Sequence, residues 1–304
     1  MVATRGGVLR SSSGRVRLGW RLALFLVVAF VVLSVVILML PEGLFGAGLS
    51  MLAAALVAGA LVIRMDGRGA GALGFHLARS VPREALLGLA LGLGLAVAVV
   101  GLMAAGGALR WSGEAGTPVA WLGSALAAAG ILALPAAAEE ALFRGYPFQA
   151  LAEAWSPAWA LAVSAALFGA AHLANPGSTA LGAANTAAAG VFLGVVYLRT
   201  GSLWWASGAH LGWNWGLGFL ADLPVSGLEL IDAPMIAASV QDPTWLSGGA
   251  FGPEGSLVAT LGFLGAAAAG WWGPWLRPEP AALERRSLVF ASDADPAGTG
   301  TAPA

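Results

Sequence analysis

The amino-acid sequence predicts an all-α fold, a polytopic membrane bundle of about eight transmembrane helices. The first observation is composition: of 304 residues, 58% are hydrophobic and 10% are charged, whereas a soluble domain carries about 25% charged residues. An exterior so poor in charge must face lipid. The second observation is a series of separate apolar runs. Each is close to the ~20 residues that a helix needs to cross a hydrocarbon core roughly 30 Å thick.

The apolar runs define the spans in chain order. They cover residues 20–40, 43–63, 85–108, 119–138, 158–174, 180–198, 202–221 and 255–276. The fourth run does not end cleanly, because helix-forming residues continue through a charged stretch to about Trp155.

The distribution of arginine predicts the orientation, since cytoplasmic loops are the richer in basic residues. With the N-terminus inside, eight spans put every loop arginine except Arg110 on the cytoplasmic side. These arginines are Arg5, Arg10, Arg15, Arg17, Arg21, Arg64, Arg68, Arg79, Arg83, Arg199, Arg277, Arg285 and Arg286. The long loop 222–254 has five acidic residues and no arginine. We therefore expect both termini in the cytoplasm, and the composition favours a bacterial plasma membrane.

Spans and loops divide the chain into consecutive regions. They are a basic cytoplasmic segment 1–18, N-terminal transmembrane helices 19–118, a core 119–221, an acidic extracytoplasmic loop 222–254, a last transmembrane helix 255–276 and a disordered tail 277–304. The tail is rich in Pro, Ala, Asp and Gly, which favours disorder. The net charge of −1 gives no indication of nucleic-acid binding, and the absence of cysteine excludes disulfides and thiol nucleophiles.

Ionisable groups inside spans are costly and are therefore functional candidates. Nearly all of them lie in three clusters of the core, whereas His76 falls in a loop and is expected to be solvated. The clusters are Glu139-Glu140 with Arg144, Phe168 with His172, and His210 with Asn214. Spacings of four residues put Glu140 beside Arg144 and His210 beside Asn214 on one helix face. Glu139 points about 100° around the helix from Glu140, away from this pair.

The three clusters can meet at one depth. Glu139 and His172 each lie about 24 Å along their helices from the turn near Trp155, and His210 lies roughly 15 Å from the turn at Arg199. If the hairpin of the fourth and fifth spans projects into the cytoplasm, the three levels coincide. The sequence thus predicts an intramembrane catalytic cavity.

These residue types suit hydrolysis by an activated water. Glu139 would be the general base and His172 would position the water, while His210 and Asn214 would donate hydrogen bonds to the oxyanion. Arg144 would keep Glu140 charged. A Zn²⁺ ion held by Glu139, His172 and His210 is the rival mechanism, although the H-E-x-x-H spacing is absent and asparagine is an uncommon zinc ligand.

The ordered motifs Glu-Glu-x-x-x-Arg, Phe-x-x-x-His and His-x-x-x-Asn resemble those of the CPBP family of intramembrane proteases. This family comprises type II CAAX prenyl proteases and bacteriocin-processing or immunity (Abi) proteins. The resemblance covers about residues 119–221. It implies a membrane cavity open to one leaflet and to the cytoplasm, and cleavage of prenylated or other membrane-anchored substrates. It also implies that Glu139 and His172 activate water, while His210 and Asn214 form the oxyanion site.

Two other classes of function remain open from the residues alone. Intramembrane Glu and His also serve proton-coupled transporters, although no inverted repeat is visible in the sequence. A non-catalytic membrane partner, such as an immunity or scaffold protein, would keep the fold without turnover.

Overall fold

A computed structural model describes residues 8–10 and 15–284 of the chain. The described part is a helical bundle with a single small sheet. Its helices are α1 Leu18–Ile37, α2 Leu44–Met65, α3 Val81–Ala105, α4 Pro118–Arg144, α5 Tyr146–Ala154, α6 Pro157–Ala171, α7 Ala180–Thr200, α8 Leu203–Trp215, α9 Thr244–Ser247, α10 Leu257–Trp272 and α11 Pro280–Glu284. Strands β1 Leu109–Gly113 and β2 Ile236–Val240 pair antiparallel.

Each of the eight predicted spans contains a helix, which confirms the helical membrane bundle. Within the described residues, five helices are long and apolar enough to cross a membrane: α1, α2, α3, α4 continued by α5, and α7. The helices in the other three predicted spans, α6, α8 and α10, are shorter. Helices α6 and α10 have 15 and 16 residues, and α8 has 13 residues followed by a π turn at Gly216–Leu220.

The fourth span continues to Ala154 as predicted, but with a break. Helix α4 ends at Arg144, Gly145 adopts a non-helical ψ of −129°, and α5 begins with Pro147 in its first turn. Proline is tolerated there because the first helical N–H groups have no intrahelical partner. The break leaves Glu139 and Glu140 inside one continuous helix and lets α5 turn toward α1 and α2.

Glycines let α8 lie directly against α3. A Cβ on Gly88 or Gly92 would collide with backbone of Trp205 or Ala209, and a Cβ on Gly208 of α8 would collide with backbone of α3. Small residues at such positions allow close helix packing in membranes. The contact fixes the helix that carries His210.

The two ends of the bundle differ in charge. At the end where α1 begins and α2 ends, which we call the basic end, Asp66 accepts hydrogen bonds from Arg21 (3.0 Å) and Tyr146 (2.8 Å). Arg15 bonds both Asp66 and Glu153 there. At the opposite end, which we call the acidic end, β1 and β2 pair and residues 222–254 fold over the helices.

The chain after α10 is ordered up to Glu284, although the predicted disordered tail starts at residue 277. Glu279 accepts hydrogen bonds from Trp205 (2.8 Å) and Arg83 (3.2 Å), and its N–H donates to Thr200 O. These contacts attach α11 to the basic end. The rest of the predicted tail, 285–304, lies outside the described residues.

Candidate active site

Helix α4 directs its two adjacent glutamates to different surroundings. Glu140 is fully buried, and its Oε1 accepts hydrogen bonds from Arg144 Nη1 (2.9 Å) and His210 Nδ1 (3.1 Å). Glu139 lies about 100° around the helix, and its side chain remains 24% exposed. The predicted pairing of Glu140 with Arg144 is confirmed by this geometry.

Arg144 is the charged anchor of the site. Its side chain is fully buried. Besides Glu140, it donates to Gly190 O of α7 (3.2 Å) and lies over the ring of Phe168, with its Cζ 4.4 Å from the ring centroid. A guanidinium can combine a carboxylate pair with stacking on an aromatic face. Arg144 therefore connects α4 to α6 and α7 at the level of the glutamates.

The imidazole of His210 lies between the two carboxylates. Its Nδ1 faces Glu140, and its Nε2 is 3.8 Å from Glu139 Oε2, beyond direct hydrogen-bond distance. The ring also packs edge-on to Phe168, with the centroids 5.8 Å apart. Since Nδ1 is occupied by Glu140, the Nε2 atom is the one presented to Glu139.

His172 caps the C-terminus of α6, and its Nδ1 is 2.8 Å from Phe168 O. A carbonyl oxygen only accepts hydrogen bonds, so Nδ1 carries the proton. In the neutral ring, Nε2 is then an acceptor that can bind a water proton. Phe168 thus orients both imidazoles of the site, one through its carbonyl and one through its ring.

One cavity of about 310 Å³ joins these groups. Five of the predicted site residues line it, namely Glu139, Phe168, His172, His210 and Asn214. Glu140 and Arg144 do not line it, but Glu140 accepts a hydrogen bond from His210, which does. Both glutamates keep an Oε2 atom without a hydrogen-bond partner in the described structure, but only that of Glu139 belongs to a cavity-lining side chain.

The rival zinc mechanism requires Glu139, His172 and His210 to converge on one ion. In the described part of the chain, no group of three or more His, Asp or Glu side chains is placed to hold one.

The sequence did not reveal a third carboxylate at this cavity. Glu254 is 4% exposed and lines the cavity from the 222–254 loop. It accepts hydrogen bonds from Trp213 Nε1 (3.0 Å) and from the N–H and Oγ of Ser226. Asn175 donates to Ser226 O (2.9 Å). A glutamate between Pro253 and Gly255, immediately before an apolar run, is the signal that could have identified it.

The expectation that His76 is solvated is wrong. Its ring is 1% exposed and its Nε2 is 3.0 Å from Glu84 Oε1, while Ser202 donates to the other oxygen of that carboxylate. Trp204 donates to His76 O. The loop folds inward at the basic end to make these bonds, so His76 is a buried residue that does not line the cavity.

Comparison with known families supports the assignment made from the motifs. The family model described as "Type II CAAX prenyl endopeptidase Rce1-like" matches residues 119–216, about a third of the chain. The matched segment includes all seven predicted site residues, from Glu139 to Asn214. No curated protein and no solved structure matches the chain.

Proposed function

We propose that this membrane protein, whose segment 119–216 belongs to the type II CAAX prenyl endopeptidase Rce1-like family, is an intramembrane endopeptidase. It hydrolyses peptide bonds of membrane-anchored or lipidated proteins through a water activated by Glu139 and His172. The observation that carries the proposal is the single cavity between transmembrane helices in which Glu139, both imidazoles and Asn214 meet. Its partners are membrane lipid and the anchored substrate, and we expect no nucleic acid.

Glu139 is the general base of the proposed reaction. Its Oε2 atom has no hydrogen-bond partner in the described structure, and its side chain lines the cavity. A cavity-lining carboxylate oxygen without a hydrogen-bond partner can take a proton from water. His172 Nε2 accepts a hydrogen bond from the second proton of the same water and so holds the nucleophile in place. The oxygen of the water then attacks the carbonyl carbon of the peptide.

His210 and Asn214 stabilise the tetrahedral intermediate. They are one helical turn apart on α8, and both line the cavity. The Asn214 amide donates directly, and His210 donates from Nε2 when its ring is protonated, the ring being held by Glu140. An oxyanion donor contributes about 2.7–4 kcal/mol to catalysis. Collapse of the intermediate breaks the C–N bond, and Glu139 returns its proton to the leaving amine.

The cavity is lined mainly by apolar side chains, which suits a lipid-embedded substrate. Leu132, Pro135, Phe192 and Leu193 form parts of its wall. Extended peptide backbone within the hydrocarbon region needs hydrogen-bonding partners, because unsatisfied groups there are costly. Glu139, His172, His210 and Asn214 supply such partners in this mainly apolar cavity.

The direct test is proteolysis in a defined membrane. Purified protein in proteoliposomes is expected to cleave a fluorogenic peptide with a prenylated C-terminal cysteine, or one with an apolar membrane anchor. The same peptide without its lipid or anchor should be cleaved far more slowly, because it does not reach the cavity from the bilayer. Cleavage of neither anchored peptide, by a correctly folded preparation, would favour the non-catalytic membrane partner.

The metal question has its own experiment. We expect protease activity to persist after exhaustive treatment with a zinc chelator, and elemental analysis to find much less than one zinc ion per chain, since the described carboxylates and imidazoles do not form a metal site. Activity lost on chelation and restored by Zn²⁺ alone would replace the glutamate mechanism by a metalloprotease mechanism. A mock-treated sample controls for detergent exchange.

A further inference from the structure

Glu254 connects three separate segments of the chain at the wall of the cavity that Glu139 also lines. Its carboxylate accepts hydrogen bonds from Trp213 Nε1 of α8 (3.0 Å) and, on the other oxygen, from Ser226 Oγ (2.7 Å) and the Ser226 N–H. Its main-chain oxygen accepts from Asn185 Nδ2 of α7 (2.8 Å). A buried charge is tolerated when hydrogen-bond donors surround it. These donors therefore hold the Glu254 carboxylate in one position.

Ser226 carries this connection to the segment that holds His172. The main-chain oxygen of Ser226 accepts a hydrogen bond from Asn175 Nδ2 (2.9 Å), and the Asn175 N–H donates to His172 O (3.1 Å). Helix α6 ends at Ala171, so helical hydrogen bonds do not continue through the turn that follows His172. The position of His172 therefore depends in part on this turn and on what the turn contacts.

The backbone of Ser226 adopts a conformation that needs support. Its φ of 47° lies in the left-handed region, which is unfavourable for residues other than glycine and persists only where the surrounding contacts impose it. The Glu254 carboxylate binds both the N–H and the hydroxyl of this serine. Glu254 thus stabilises the conformation in which Ser226 O is presented to Asn175.

Trp213 carries the connection to the helix on the other side of the cavity. It is three residues after His210 and one residue before Asn214 on α8, and all three side chains line the cavity. Its indole ring also packs on Phe263 of α10, with the ring centroids 4.5 Å apart. The bond from Trp213 to Glu254 therefore joins the helix of the proposed oxyanion donors to the loop that contacts the turn after His172.

We propose that Glu254 is a positioning residue of the proposed hydrolysis. Through Ser226 and Trp213 it holds the turn after His172 at a fixed distance from α8, so that the water and the oxyanion donors meet the same peptide carbonyl. This role rests on the proposed proteolytic function, and it requires no contact between Glu254 and the substrate. Glu254 lies outside the matched segment 119–216, so the motifs that identify the family do not include it.

Glu254→Gln is expected to lower kcat on an anchored peptide about 10–100-fold, since a misplacement of roughly 1 Å in a catalytic site can cost about 10²-fold. Glutamine has one acceptor oxygen, so its amide nitrogen would face a donor of either Trp213 or Ser226. KM should change little, because the carboxylate does not bind the substrate in this role. Glu229→Gln removes an exposed charge of the same loop outside the cavity, and it should leave both constants unchanged.

A distance measurement tests the connection without any cleavage. The chain has no cysteine, so spin labels can be attached at Leu173→Cys, beside His172, and at Leu102→Cys on α3, which packs directly against α8. Both leucines are exposed. We expect one narrow distance distribution by double electron–electron resonance when the rest of the chain is unmodified. Glu254→Gln should broaden or displace this distribution, whereas Glu229→Gln should not.

Trp213→Phe is a second variant that removes one donor and keeps both the charge and an aromatic ring. It should lower kcat in the same direction, and its combination with Glu254→Gln should lose less than the product of the two single losses, because both substitutions break one connection. If Glu254→Gln does not accumulate in the membrane, the kcat and the distance distribution of Trp213→Phe decide the question.

Four results would overturn the positioning role of Glu254. They are a normal kcat in Glu254→Gln, an unchanged distance distribution in that variant, multiplicative losses in the double variant, and a raised KM with normal kcat, which would indicate direct substrate binding. A displaced distribution in a protein whose unmodified form cleaves neither anchored peptide would support the connection and contradict the proposed function.

Discussion

Glu139→Gln is expected to abolish proteolysis while leaving the fold intact. The amide cannot accept the proton of the attacking water, and loss of a general base typically lowers kcat by about 10²–10⁴-fold. Because Glu139 Oε2 has no hydrogen-bond partner in the described structure, the change removes no hydrogen bond, and only the 3.8 Å contact with His210 Nε2 loses its charge. Activity on an anchored peptide and thermal unfolding in detergent, measured on the same preparation, separate the two effects. KM should change little.

Glu114→Gln is the matched control, since Glu114 is an exposed carboxylate immediately after β1 and does not line the cavity. The exchange is chemically identical but lies away from the cavity, so both activity and stability should equal those of the unmodified protein. A Glu139→Gln variant that cleaves at the normal rate would show that another group activates the water, and the mechanism proposed for this site would fail.

Arg144→Met is expected to cause the largest loss of stability in the chain. The substitution leaves the fully buried Glu140 without its cationic partner, and removing one member of a buried ion pair costs about 3–5 kcal/mol. It also removes the bond to Gly190 O and the contact with the Phe168 ring. A marked decrease of the unfolding temperature in detergent, or failure to accumulate in the membrane, would be the result.

The double variant Glu140→Leu with Arg144→Met distinguishes the charge effect from lost packing. Replacing both partners by apolar side chains is often close to neutral, so the double variant should recover a substantial part of the stability that Arg144→Met loses. Arg64→Met is the control for removing an exposed arginine at the basic end, and it should change stability by less than about 0.5 kcal/mol. A double variant as unstable as the single one would contradict the ion-pair explanation.

The features set by local spacing were predictable from the sequence. The apolar runs predicted helices in the right places, and the four-residue spacing predicted the pairing of Glu140 with Arg144. The same helical geometry indicated that Glu139 would face away from Glu140 and that His210 and Asn214 would share a face. Helical periodicity relates these residues within a few turns, so no long-range information is needed.

Features that depend on contacts between distant segments were not predictable. Glu254 reaches Trp213 across 41 residues of sequence, and its position in the acidic loop gave no indication that it lines the cavity. His76 was assigned to solvent for the same reason, although Glu84 and Ser202 from two other elements surround it. The part of the cavity wall that the loop 222–254 forms also depends on how this loop folds back, which no short-range pattern encodes.

The backbone contact between α3 and α8 limits how the site can move. Helices without intervening side chains interlock at the main chain, and sliding or parting them would open voids that no side chain can fill. His210 and Asn214 are therefore stationary with respect to α3. On the opposite wall of the cavity, His172 ends the short helix α6 and is followed by the turn at Asn175. One half of the proposed catalytic set is thus held by a main-chain contact between two helices, whereas His172 is held at the end of its own helix.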